Sequence, residues 1–151
     1  MEEMKIMLVD DEERFLATTQ KLLSKKGFDV TTASGGVEAL ETLNRKNIHV
    51  VFLDVKMPGM DGNETLKEIK TRFPLVEVIM LTGHATVESA IDGLKSGATD
   101  YLMKPADIED LIARAREAFT KRERLEEKIR LARARRFMKS PREILRADDE
   151  S

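Results

Sequence analysis

The chain has 151 residues, enough for one domain of ordinary size plus an appendage, and its 41% hydrophobic share can bury a proper core. It has no cysteine, which excludes disulfides and thiolate metal sites, and its first apolar stretch, Ile6 to Val9, is too short for a signal peptide or membrane span, so a soluble, cytoplasmic protein is expected. Charge is unevenly spread: Lys121 to Arg146 holds 11 Lys/Arg and 4 Asp/Glu, a net of +7 against −9 for the remainder, so an acidic body precedes a basic tail.

Ile6-Met7-Leu8-Val9 ends on Asp10-Asp11-Glu12-Glu13, after which Phe15, Leu16, Thr19, Leu22 and Leu23 recur at helical spacing until Lys25-Lys26-Gly27. This predicts a strand and then a helix, with Asp10 or Asp11 near the helix start, where a carboxylate can cap and meets the positive end of the dipole. Phe28 to Ala33 alternates weakly and reads as a second strand. Gly35-Gly36 opens a helix carrying Val37, Leu40 and Leu43, closed by Lys46-Asn47.

Ile48 to Leu53 is rich in β-branched and aromatic residues, too short for a typical helix, and broken only by His49, which is expected to be a satisfied strand residue. Such a run predicts a strand covered on both faces, as in a parallel sheet. It stops on Asp54, and a Pro58-Gly59 loop follows. Leu66 and Ile69 share one face of a third helix that stops before Phe73-Pro74. Val76 and Val78 to Leu81 form a fourth strand ending on Thr82-Gly83-His84. Val87, Ala90, Ile91 and Leu94 mark a fourth helix closed by Ser96-Gly97. Thr99 to Met103 is a fifth strand ended by Lys104-Pro105, and a last helix starts near Asp107.

Five strand–helix repeats specify an α/β fold with right-handed crossovers, here a doubly wound five-stranded parallel sheet. The last helix is different. Ile108, Leu111, Ala115, Ala118, Arg122, Leu125, Ile129, Ala132 and Arg136 step by 3 and 4, a heptad-like seam with Arg at two positions. Its turns to about Phe119 suffice to cover the sheet, and the rest, to about Met138, is expected to project until Ser140-Pro141 breaks it. The expected division is a body over 1–120 and a basic helical extension over 121–151 without a separate output domain. That extension reads as a solvated helix laced with charge pairs, as a helix–helix dimer contact, or as a contact to an acidic surface. No base-reading motif or aromatic interleaving is present, which argues against nucleic acid.

Strands one, three, four and five end on Asp10-Asp11, Asp54, Thr82 and Lys104, and in a parallel sheet those ends share one edge, where ligands bind. Singly, each has a plain role: Asp54 can open a turn, Asp10-Asp11 can cap a helix, Thr82 can end a strand, and Lys104 can be a surface charge. Together they are chemically specific. Crowded carboxylates repel and call for a cation, and hard oxygen donors suit magnesium. A hydroxyl and an ammonium beside them suit phosphoryl oxygens, and Asp is a known nucleophile in phosphoryl transfer.

Val9-Asp10-Asp11-Glu12, Leu53-Asp54-Val55-Lys56-Met57-Pro58-Gly59-Met60-Asp61-Gly62, Leu81-Thr82-Gly83-His84 and Tyr101-Leu102-Met103-Lys104-Pro105, in this order, resemble the receiver domain of two-component response regulators over roughly residues 4 to 120. The resemblance implies a flavodoxin-like fold with strand order 2-1-3-4-5. It implies that Asp54 accepts a phosphoryl group from a sensor histidine kinase or phosphotransfer protein. Asp11 and Asp54 would bind Mg2+ together with the Lys56 backbone carbonyl, and Asp10 through water. Lys104 would pair with a phosphoryl oxygen, or with Asp54 before phosphorylation, and the Lys104–Pro105 bond would be cis. Thr82 would donate its hydroxyl to the phosphoryl group while Tyr101 swings inward, changing the face of helix four, strand five and helix five, a surface for protein contacts and a possible homodimer. Lys56 and His84 would tune the phosphoryl lifetime. Two rivals stand beside this reading. One is a magnesium-dependent phosphatase with an Asp nucleophile, against which Lys56 stands where a second Asp is often found. The other is an interaction module that is not phosphorylated.

Overall fold

The computed structural model describes residues 4–83 and 87–138. Strands β1 (Lys5–Val9), β2 (Asp29–Ala33), β3 (Val50–Leu53), β4 (Glu77–Thr82) and β5 (Asp100–Met103) alternate with helices α1 (Glu13–Lys25), α2 (Gly36–Arg45), α3 (Gly62–Arg72), α4 (Val87–Lys95) and α5 (Ile108–Met138). The strands form one sheet in the order β2-β1-β3-β4-β5, and every pairing is parallel. The expected doubly wound fold is therefore found. Three strands are shorter than the sequence suggests: Phe28, Ile48-His49 and Thr99 precede β2, β3 and β5 rather than belonging to them.

The central strands explain their own composition. All four residues of β3 and all six of β4 are buried, because helices cover both faces of the sheet. Val51, Leu53, Val78 and Met80 point to one side, where Leu40 and Leu43 of α2 and Leu66 and Ile69 of α3 meet them. Val50, Phe52, Ile79 and Leu81 point to the other, against Leu16 and Leu23 of α1 and Leu111, Ile112 and Ala115 of α5. Each large apolar side chain so buried is worth about 1.5–3 kcal/mol.

The helices bury narrower stripes than their spacing suggests. Leu22 and Val37 are exposed, so α1 turns Leu16, Thr19 and Leu23 inward and α2 turns Ala39, Leu40 and Leu43 inward. Helix α4 departs most: Ile91 and Leu94 are 43% and 48% exposed, and its contact with the sheet runs through Gly93, which lies over Met80 and Tyr101. Space beside Gly93 would accommodate a Cβ in ordinary contact, and Ile91 and Leu94 are left largely outside.

Helix α5 runs unbroken from Ile108 to Met138, and its anchoring to the body continues beyond Phe119. Arg122, expected to project, is 8% exposed. Its guanidinium donates to the Leu75 carbonyl at 2.9 Å and pairs with Glu126 at 3.0 Å. The expected break at Ser140-Pro141 falls outside the described residues. Among the described residues no helix is long and apolar enough to cross a membrane.

Candidate functional site

Three polar residues that directly follow strands keep their backbone N–H groups in the sheet's hydrogen bonding. Asp10 donates to the Ala33 carbonyl at 3.1 Å, Asp54 to Val9 at 2.9 Å and Lys104 to Thr82 at 2.8 Å. The backbone is thus still extended where apolar sequence gives way to polar, and the side chains emerge together at the carboxyl edge. Asp54 and Lys104 line a cleft of about 240 Å³ with Asp11, Glu12, Lys56, Thr82 and Gly83.

Asp10, Asp11 and Asp54 each turn a carboxylate oxygen to a common point, all within 4.8 Å of one another. Asp10 and Asp54 are buried and Asp11 is exposed. Asp10 is held by its own turn, one oxygen accepting from the Glu12 N–H at 3.0 Å. Its other oxygen pairs with the Lys104 ammonium. That pairing differs from the expectation that Lys104 would pair with Asp54. A buried carboxylate follows the first strand at the same edge of the sheet, and it takes the ammonium.

Asp54 is held by a loop that folds back beneath it. Gly59 supplies the left-handed corner, with φ of +78°. Gly62 then lies against the Asp54 carbonyl and Val55, so closely that a Cβ would collide with both, and its N–H donates to the Val55 carbonyl at 2.9 Å. Asp61 ends the loop by capping α3, its carboxylate accepting from the Glu64 N–H at 2.9 Å. Lys56 stays exposed in this loop, and its N–H reaches the Asp54 carboxylate.

The electrostatic consequence falls on Asp54, whose pKa is raised from 3.8 to about 6. Burial is the main cause and the neighbouring Asp10 carboxylate adds to it, with Asp11 contributing less. The Lys104 ammonium and the Lys56 N–H pull the other way without restoring the ordinary value. Among the described residues, Asp10 alone of the three carboxylates pairs with the Lys104 ammonium. An all-oxygen donor set with excess negative charge fits a hard divalent cation.

Thr82 is buried at the end of β4, beside Lys104 through their backbone hydrogen bond. Tyr101 is half-buried, its ring edge near Gly93 of α4. The Lys104–Pro105 peptide is cis. His84 lies outside the described residues. Two residues at the cleft had no role in the sequence reading. Glu12 approaches the Lys104 ammonium to 4.0 Å, and the Phe15 ring lies beneath that ammonium, 4.2 Å from ring centroid to nitrogen. Glu12 was legible as part of the acidic run after the first strand, whereas Phe15 carried only the signal of a core position on α1.

Residues 6–116 match the family described as the response regulator receiver domain. The chain is 43% identical over 110 residues to the transcriptional regulatory protein ZraR of Klebsiella oxytoca, covering 73% of this chain and 25% of that protein. It is 37% identical over 115 residues to the DNA-binding transcriptional regulator NtrC of Escherichia coli, covering 76% and 24%. The chain therefore spans about a quarter of the length of these relatives. Among solved structures, a receiver domain from Clostridium thermocellum aligns with a TM-score of 0.75 and 40% identity over 81% of this chain and 98% of that one. NtrX from Brucella abortus aligns with a TM-score of 0.80 and 32% identity, over 86% of this chain and 30% of that one.

Proposed function

The chain belongs to the response regulator receiver domain family, and from that footing we propose that Asp54 takes a phosphoryl group in a Mg2+-dependent reaction and that the modified domain changes its protein contacts. The observation that carries this is the convergence of Asp10, Asp11 and Asp54 within 4.8 Å beside Lys104 and Thr82, with Asp54 raised to about 6. A receiver of this kind is a phosphoacceptor signalling module rather than an enzyme that turns over a pool of substrate.

In this reading an Asp54 oxygen attacks the phosphorus of a phosphohistidine on a sensor kinase or phosphotransfer protein. The O–P bond forms as the P–N bond breaks, and the electron pair remains on the imidazole nitrogen. Asp54 must be ionised to attack, and a pKa of about 6 leaves it so at neutral pH. Asp11, Asp54 and the Lys56 carbonyl would hold Mg2+, with Asp10 acting through water. The ion would supply neutralising charge for the phosphoryl oxygens. Lys104 leaves Asp10 to meet one of those oxygens, and Thr82 donates its hydroxyl to another. Lys56, two residues after Asp54, and His84, two residues after Thr82 in the sequence, are the positions assigned to tuning how long the group lasts. Drawing Thr82 inward opens room for Tyr101 to turn away from Gly93 and alters the α4–β5–α5 surface.

That surface supports an output by contact. Ile91 and Leu94 of α4 and Met103 of β5 are apolar and 43%, 48% and 52% exposed. We assign it, with the C-terminal helix, to a homodimer contact, and place the division between receiver and basic extension near residue 120, inside the continuous α5.

Light scattering with and without beryllofluoride and Mg2+, on the wild type and on Asp54→Asn, tests the reading. Beryllofluoride stands in for the phosphoryl group. The expected result is a rise in mass that requires both additives and is absent in Asp54→Asn. Binding of beryllofluoride without a mass change moves the output to a different partner. Absence of binding in the wild type overturns the phosphoacceptor assignment.

A further inference from the structure

Lys104 reaches the cleft over a seat that includes the turn after β1 and the first turn of α1. Its ammonium pairs with Asp10, approaches Glu12 to 4.0 Å and lies 4.2 Å from the centroid of the Phe15 ring. Phe15 is the third residue of α1, half-buried against the core layer beneath it. We propose that Phe15 is a positioning residue for Lys104, its ring face keeping the ammonium at the mouth of the carboxylate cluster while the anion it pairs with changes. This rests on the phosphoacceptor reading above.

The physical case begins with the lysine. An ammonium is a compact, strongly hydrated charge on a flexible four-carbon stem, and near a surface it drifts toward water unless something holds it. Asp10 and Glu12 hold it electrostatically, but a divalent cation drawn to the same carboxylates competes for them. The ring does not enter that competition: hard cations seek oxygen, whereas an ammonium within about 6 Å of an aromatic face is attracted by its quadrupole. Of the three contacts, the one to Phe15 is therefore the least disturbed when Asp10 turns toward a metal. Lys104 is then free to exchange Asp10 for a phosphoryl oxygen on Asp54 without first being lost to water.

The test compares Phe15→Leu, which keeps an apolar side chain, with Phe15→Tyr, which keeps the ring face. Carbon–proton NMR of the metal-free protein reads the seat directly. The Lys104 ε-methylene protons are expected upfield from the ring current in the wild type and in Phe15→Tyr, and at ordinary positions in Phe15→Leu. Phosphorylation by phosphoramidate with Mg2+ then reads the consequence, and so small a donor keeps any protein-docking role of α1 out of the measurement. Phe15→Leu should be slower by about 3- to 10-fold, with Phe15→Tyr within about twofold of the wild type. In a Lys104→Met background the Phe15→Leu change should cost nothing further.

Equal rates for Phe15→Leu and the wild type overturn the proposal. So does a Phe15→Tyr variant as slow as Phe15→Leu, which would mark Phe15 as packing alone. A wild type that phosphoramidate never modifies overturns the phosphoacceptor reading and this role with it. That failure is told apart from the others because the ring-current shift would persist.

Discussion

At the amino end of β4, Glu77 is 4% exposed and accepts a hydrogen bond from the Thr99 hydroxyl. Nearby, Lys70 spends its ammonium on the carbonyls of Pro74 and Val76, both at 2.9 Å, and Arg122 meets the Leu75 carbonyl and Glu126. At the carboxyl ends, Asp10, Asp11 and Asp54 gather within 4.8 Å of one another, and Asp10 pairs with the Lys104 ammonium. Both edges bury ionisable groups, so burial of charge does not distinguish them. The buried groups named at the amino edge are compensated, because Lys70 and Arg122 have carbonyl or carboxylate partners and Glu77 has a hydroxyl. The carboxyl edge is short of positive charge, and its acid shows it by a pKa of about 6. A shortage of compensation, rather than polarity, marks where a ligand belongs.

The contrast can be broken first at the balanced edge. Glu77→Ala leaves the Thr99 hydroxyl without its acceptor and removes the carboxylate that opposes the burial-driven lowering of the Lys70 pKa. We expect a loss of about 2–3 kcal/mol in urea unfolding, a further fall in the Lys70 pKa, and Mg2+ affinity unchanged. A change in Mg2+ affinity would show that the two edges are not independent.

At the uncompensated edge the sign reverses. A carboxylate whose folded pKa stands above its unfolded value binds its proton more tightly in the native state. Its contribution is present below the ordinary value of 3.8 and is lost as pH rises through about 6. Asp54→Asn should therefore stabilise the metal-free protein at pH 7 by about 1–2 kcal/mol, with the advantage shrinking as pH falls from about 6 and nearly gone below 3.8. Thermal unfolding across that range checks it. Equal stability at pH 7 would mean that Lys104 already balances the cluster.

The two edges were unequally legible in the sequence. The carboxyl edge was open to reading because each strand ends in an abrupt change from apolar to polar, and parallel strands bring such ends together. Thus Asp10, Asp11, Asp54, Thr82 and Lys104 are grouped by the sequence alone. Which partner Lys104 takes was not legible, since sequence places groups at an edge but not at a distance. Phe15 was hidden for a different reason: an apolar residue at helical spacing has the same signature whether its ring faces the core or an ammonium. The exposed Ile91 and Leu94 show the same limit, because periodicity marks a stripe on a helix but not how the helix is rolled against the sheet. At the amino edge Glu77 begins a strand and Lys70 lies in a helix, and nothing in their spacing announces that they meet.

Arg122 is the clearest instance, and it carries the smallest effect. In sequence it interrupts an apolar seam and argues against a dry coiled coil. In the structure that interruption is an attachment: the guanidinium turns back to the Leu75 carbonyl while Glu126, one turn further on, holds it from the other side. The stem packs and the head bonds, so a methionine of similar length keeps the first and loses the second. Arg122→Met should cost about 1 kcal/mol, because one hydrogen bond is lost and the Leu75 carbonyl lies close enough to the surface to find water. The effect should also be local. Hydrogen exchange is expected to quicken in α5 beyond residue 119 and to stay unchanged at Asp54 and Lys104. If it quickened at the carboxyl edge as well, the balanced edge would be a transmitter between the extension and the site rather than a foundation for the extension alone.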